Sequence, residues 1–265
     1  MIRVSSPFAN IKRRLRLKQI IREQLEALPS YLVDGLGPGE FVDVGESVVD
    51  ILRSEGKLRR GGTVLDIGCG LGRVAIPLQR YLTRGTYDGF DIVPQYVHWA
   101  ESQITSRSPN FRFRLADIHS SMYNPESVAP PASVTFPYPD NRFTVAVATS
   151  LFSHLLPDAT VRYFAETARV LRRRGRAVFT FFLLDRVSRQ RAETLDTYPT
   201  FGYAFEHGLL NDPQRPEEAV AYDAEWVLQA LEEARLTPVL PVHWGRWSGR
   251  ANALSYQDVV IAERT

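Results

Sequence analysis

The sequence predicts a doubly wound α/β fold: a mostly parallel, seven-stranded sheet with an antiparallel edge strand. Three observations carry that expectation. From Thr63 onward, apolar runs of strand length alternate with amphipathic runs of helix length. The first apolar run, residues 63–67, ends in a glycine-rich turn that leads into a helix-length segment. Two strand-like runs near the C-terminus, 238–244 and 255–262, suit a closing hairpin on a sheet that is parallel at its centre and mixed at one edge.

The elements follow in order. Residues 10–28 read as an amphipathic helix, because Ile11, Leu15, Leu17, Ile20, Ile21, Leu25 and Leu28 recur at helical spacing with basic residues between them. Pro29 and Ser30 end it, and a Gly/Pro-rich loop over 34–39 follows. Residues 44–55 read as a second helix that stops near Gly56. Strand 63–67 is followed by helix 71–82, and strand 86–91 by helix 94–105, with Pro94 in its first turn. Residues 111–116 form the third strand. The segment 118–142 holds Pro125, Pro130, Pro131, Pro137 and Pro139 and is expected to be irregular. Strand 143–149 and helix 158–171 come next, with Gly175 as the expected stop, then strand 177–184. Residues 185–222 interrupt the alternation with a polar, aromatic-bearing stretch, and 223–235 is a last helix.

Bulk properties narrow the function classes. A chain of 265 residues with 44% hydrophobic residues can bury a full core. The net charge of +2 gives no general reason to expect a nucleic-acid partner. No apolar run approaches the roughly 20 residues that span a bilayer, and no signal-peptide core is present. Cys69 is the one cysteine, so neither an intrachain disulfide nor a multi-cysteine zinc site can form. A cytoplasmic protein is expected. The basic residues of 10–28 read as the solvated face of a covering helix, with membrane-surface contact or contact with a phosphorylated or RNA substrate left open. Arg172–Arg174 and Arg176 read as a helix C-terminus that complements the helix dipole.

The turn after the first strand reads VLDIGCGLGR. Glycines allow positive φ and close backbone approach to a ligand, and amides at a helix start favour acceptor groups. A dinucleotide fingerprint counted from Gly68 needs a third glycine at position 73, where the chain has Arg73. The spacing is instead D-x-G-x-G-x-G, from Asp66 through Gly68, Gly70 and Gly72. An acid here disfavours a pyrophosphate and favours a cationic ligand.

This segment resembles the first motif of the class I, Rossmann-like S-adenosylmethionine (SAM)-dependent methyltransferases. Further segments resemble that family in the same order: GFDI ending at Ile92, LADI ending at Ile118, FTVAVATSLFSHLL, and ARVLRRRGRAVFTFF. The resemblance implies a Rossmann-like methyltransferase fold with N-terminal capping helices and SAM as cofactor. It implies Asp91 at the ribose hydroxyls, Asp117 at the adenine amino group and Ile118 against the ring. It puts Asp66, Gly68, Cys69, Gly70, Gly72, Ile92 and Thr149 in the same cofactor site. Cys69 reads as a small buried filler whose backbone faces the cofactor.

Methyl transfer from a sulfonium needs mainly alignment, and a hydroxyl acceptor also needs a base. His154, in SLFSHLLP after the fourth strand, is the first candidate base. His207 and Tyr203, in the 185–222 stretch, are the others. No metal is expected: where one branch of the resembled family carries glutamates to hold a metal, Ser150 and Ser153 precede His154 here. The expected organisation is a helical cap (1–60), a SAM-binding core (61–184), a lid (185–222) and a closing helix with a strand hairpin (223–265). The expected reaction is O-methylation of a small molecule. N- or C-methylation and a non-catalytic SAM-binding partner are the alternatives.

Overall fold

The computed structural model describes residues 38–194 and 199–265. The basic helix expected at 10–28 lies outside these residues. The first described helix is α1 (Pro38–Ser54). It is amphipathic: Phe41, Val42, Val48, Val49, Ile51 and Leu52 are buried at helical spacing.

The alternation then runs as expected. Strand β1 (Thr63–Ile67) leads to the short helix α2 (Ala75–Leu78), and β2 (Thr86–Asp91) to α3 (Pro94–Ala100). The turns of α3 widen over Glu101–Thr105 before β3 (Phe111–Leu115). Strand β4 (Phe143–Ala148) precedes α4 (Pro157–Val170) and β5 (Leu171–Leu184). Leu156 is extended, as a residue before proline prefers, and Pro157 opens α4 where its missing N–H costs nothing. Helix 71–82 is shorter than its apolar pattern suggests. Pro77 lies inside it, and proline removes a helical donor.

Gly175 does not end a helix. Helix α4 stops at Val170, and the chain enters β5 directly. Gly175 lies in a bulged part of β5, where the pairing to β4 jumps from Phe143–Leu171 to Val145–Arg176. The arginine run from Arg172 therefore belongs to this bulge and not to a helix end. Arg176 bridges to Glu263 at 3.1 Å.

The largest correction concerns the sheet. It has ten strands among the described residues, not seven. The stretch 185–222 supplies α5 (Arg186–Ala192) and the strands β6 (Tyr203–Phe205), β7 (Gly208–Leu210) and β8 (Val220–Asp223). The chain closes with α6 (Ala224–Glu233), β9 (Leu236–Pro238) and β10 (Asp258–Arg264). Strand order is β3-β2-β1-β4-β5-β8-β7-β6, and β10 joins β5 with β9 outside it. The run from β3 to β8 is parallel, and β7, β6, β9 and β10 pair antiparallel.

Both faces of the sheet are buried, which explains why its strands read as continuous apolar runs. Neighbouring residues point to opposite faces. Leu65, Ala146, Ala148, Phe179 and Phe181 pack under α4 and α6. Val64, Val145, Val147 and Val178 pack under α1, α2 and α3. Small alanines on β4 make room for the stacked rings of Phe152, Phe164, Phe179 and Phe181. The parallel strands all end on one side, and in such sheets ligands collect there.

Candidate functional site

Two adjoining cavities open at the carboxyl ends of the strands. The first has a volume of about 560 Å³ and the second about 770 Å³. Arg73, Ser150 and His154 line both.

The turn after β1 forms one wall of the first cavity. The N–H groups of Gly68 and Cys69 both donate to the Phe90 carbonyl at 3.0 Å, which ties the turn to the end of β2. Gly70 N–H donates to Asp91 Oδ2 at 2.7 Å, and Val93 N–H to Asp91 Oδ1 at 3.0 Å. Each carboxylate oxygen keeps lone-pair capacity for a ligand hydroxyl. Burial nonetheless raises the Asp91 pKa above its ordinary value. Gly70 has φ +51, and a Cβ there would meet no atom within 4 Å, so the glycine leaves open space beside the cavity.

Six of the residues expected at the cofactor line this cavity: Gly68, Gly70, Asp91, Ile92, Ile118 and Thr149. The others do not. Asp66 is 1% exposed, and its Oδ2 accepts from the Tyr87 hydroxyl at 2.6 Å. Its Oδ1 is buried without a partner, and desolvation pushes its pKa up to about 7. The Cys69 side chain is buried against Gly89, and burial raises its thiol pKa further. Gly72 has φ +79, and a Cβ there would lie 2.5 Å from Ile104 Cδ1; its role is packing. Asp117 is exposed on the surface beside Ile118.

The three candidate bases separate. His154 lies between the cavities, with Nδ1 3.0 Å from the Glu217 carbonyl. A carbonyl only accepts, so Nδ1 carries the proton and Nε2 presents a lone pair. Burial lowers its pKa, which keeps the ring neutral near pH 7. His207 and Tyr203 line neither cavity. They belong to the β6–β7 hairpin at the far edge of the sheet, with β8 between it and β5. His207 stacks on Trp226 at 4.6 Å, and Tyr203 is 53% exposed.

The expected lid is largely an extension of the sheet, because β8 pairs with the end of β5. Its contribution to the site comes from the approach to β8: Glu217 on the first cavity, Glu218 and Ala219 on the second.

Residues not singled out from sequence complete the site. Arg73 directly follows the third glycine, and the sequence marks it only as the residue that breaks a dinucleotide fingerprint. Its guanidinium lies 5.5 Å over the Phe41 ring. Ser150 has φ +55 and donates its N–H to Thr180 Oγ1 at 2.8 Å. Ser150 Oγ and Thr180 Oγ1 donate to Gln257 Oε1 at 3.0 and 2.8 Å. Gln257 comes from the other end of the chain, and no local motif marks it.

These features fit SAM. The unpaired, buried Asp66 oxygen suits a nearby cation, and Asp91 suits a vicinal diol. The apolar Ile92 and Ile118 suit an aromatic base. Among the described residues, no group of three or more His, Cys, Asp or Glu could hold a metal ion, and no helix is long and apolar enough to cross a membrane.

Comparison with known proteins finds similarity to the same family over part of the chain, and the same fold over most of it. Residues 64–175 match the family described as a methyltransferase domain. A SAM-dependent methyltransferase from Aquifex aeolicus is 19% identical, with TM-score 0.57, over 90% of this chain and 99% of that one. Magnesium protoporphyrin IX methyltransferase from Synechocystis, with bound SAM, is 15% identical with TM-score 0.54 over 94% and 97%. A 1,6-didemethyltoxoflavin-N1-methyltransferase from Burkholderia thailandensis, with bound substrate and S-adenosylhomocysteine, is 17% identical with TM-score 0.52 over 100% and 93%.

Proposed function

We propose that the chain is a SAM-dependent methyltransferase that O-methylates a small molecule, with His154 as the general base; the match of residues 64–175 to a methyltransferase-domain family supports the reaction class. The observation that carries this reading is the position of His154 on both cavities with an unprotonated Nε2.

In this reading the first cavity holds the cofactor. Asp91 takes the ribose hydroxyls, Ile92 and Ile118 pack on the adenine, and the Gly68–Gly70 turn and Thr149 border the rest. When bound, the cofactor supplies a methyl group already activated on a sulfonium. The protein's task is then alignment, which contributes most of what such a displacement needs. The second cavity holds the acceptor between α1 and the segment before β10. His154 Nε2 takes the proton from the acceptor hydroxyl as the oxygen attacks. The Glu217 carbonyl holds the ring in the tautomer that leaves Nε2 free and stabilises the imidazolium that forms. A cytoplasmic location is part of this proposal and rests on composition alone.

Calorimetry and turnover test the reading together. The purified protein should bind SAM and S-adenosylhomocysteine and not NAD. With an accepted substrate, His154→Ala should lower turnover by about 10²–10⁴ and leave SAM affinity nearly unchanged. Full turnover by that variant would remove His154 as the base. A parallel loss of SAM affinity and thermal stability would make it a loop-ordering residue instead.

A further inference from the structure

Resting on the methyl-transfer reading above, we propose that the acceptor carries a carboxylate, seated in the second cavity among Arg73, Arg246 and the side-chain amide of Gln257.

The argument starts from Gln257, which lines the second cavity and is 7% exposed. Its amide orientation follows from its neighbours. Ser150 N–H can only donate, and Thr180 Oγ1 takes it at 2.8 Å. The Thr180 hydroxyl proton then needs an acceptor, and Gln257 Oε1 lies 2.8 Å away. Ser150 Oγ donates to the same oxygen at 3.0 Å. The reversed amide would leave the Thr180 proton without an acceptor at a site 6% exposed. Oε1 is therefore committed to the protein, and the Nε2 amide is left with two N–H donors and no partner among the described residues.

Two cations share the cavity with this amide. Arg73 lies on the boundary with the first cavity; the buried carboxylate of Asp66 is its charge neighbour, and no salt bridge joins the two. Its guanidinium rests on the Phe41 ring. Arg246 stands at the exposed rim; its nearest hydrogen-bond acceptor is the Ala253 carbonyl at 3.5 Å. Guanidinium and amide donors together match a planar carboxylate.

The charge of the ligand is limited by the opposite wall. Asp43 and Glu218 also line the cavity, and both already have partners: Glu218 accepts from Asn211 at 3.0 Å and pairs with Arg215 at 3.2 Å. Two fixed acids disfavour a dianion and tolerate a monoanion held on the far side. Phe182 and Tyr256 add ring surface, so an aryl hydroxy acid suits the space.

The test uses protein saturated with S-adenosylhomocysteine and a panel of hydroxyaryl carboxylates, such as 3-(4-hydroxyphenyl)propanoate. Each acid is titrated beside its carboxamide, and 4-hydroxyphenyl phosphate is the dianion probe. At least one acid should bind about tenfold or more tightly than its amide, the range expected for hydrogen bonds to a charged group. Gln257→Glu keeps an oxygen for Ser150 and Thr180 and replaces the donors with a charge; it should erase the preference. Arg246→Met, at an exposed position that leaves the fold intact, should weaken the acid about tenfold and leave the amide unchanged. The proposal is overturned if amides bind as well as acids, if no acid of the panel binds, if the phosphate ester binds more tightly, or if the preference survives Arg246→Met. Failure of S-adenosylhomocysteine to bind would instead remove the methyl-transfer reading, and this proposal with it.

Discussion

Asp66 lies one residue before the end of β1, with its carboxyl turned into the protein and one oxygen unpaired. Desolvation raises its pKa from 3.8 to about 7, against the hydrogen bond from Tyr87, which lowers it. The sign of the pH effect follows. A folded-state pKa above the unfolded value favours the folded protein at low pH, and that advantage is lost as pH rises toward 7. In the apo protein, thermal unfolding should show the midpoint falling between about pH 4 and pH 7 more steeply than in Asp66→Asn. Cofactor affinity should run the other way and rise through pH 7, because the ionised carboxylate attracts the cation. Identical slopes in the two proteins would mean that Asp66 is not the titrating group. The same residue shows what was legible locally. The acid at this position was readable from D-x-G-x-G-x-G; its burial against Tyr87, twenty-one residues away, was not.

The turn from β1 to α2 and the widened helix at Glu101–Thr105 form one packed unit. Gly72 sits where they meet, at φ +79 with Ile104 against it. Gly72→Ala should therefore cost about 1–3 kcal/mol, from the left-handed backbone and the displaced Ile104. A lower unfolding midpoint in thermal melts checks this, and an unchanged midpoint would show that the two elements can separate without cost. Element positions in the core were readable because buried parallel strands are apolar runs of fixed length bounded by turns. The strands β6, β7 and β8 were not. Each has three or four residues, too few for a period to register. Their sheet is made by pairing with β5, which local sequence does not encode.

At the scale of the molecule, one edge of β5 is shared. Arg176–Phe181 pairs with β10, and Phe182–Leu184 with β8. Asp258 sits at the changeover, fully buried. Its carboxylate accepts from Leu183 N–H, Gly245 N–H and Trp247 Nε1–H, each at 2.6 Å. It thereby joins β5, β10 and the segment that walls the second cavity. Asp258→Ala would strand three buried donors and should cost on the order of 3 kcal/mol or more. Urea unfolding measures it, and a loss under 1 kcal/mol would mean that water or rearrangement replaces the carboxylate.

The sequence by itself determined the parallel core, the glycine turn, and the placement of Gly68, Gly70, Asp91, Ile92, Ile118 and Thr149 at one cavity. The core and the turn follow from short-range rules, strand length and turn chemistry, and the residues at the cavity follow from the resemblance of these motifs to those of the methyltransferases. Only the tertiary structure decided which histidine stands between the cavities, and it separated His154 from His207 and Tyr203. Only the tertiary structure joined Ser150, Thr180 and Gln257, which lie as far as 107 positions apart in the chain. Hydrogen-bond direction and burial depend on every group packed around an atom. Those neighbours are set when distant strands pair, and no local pattern in the chain records them.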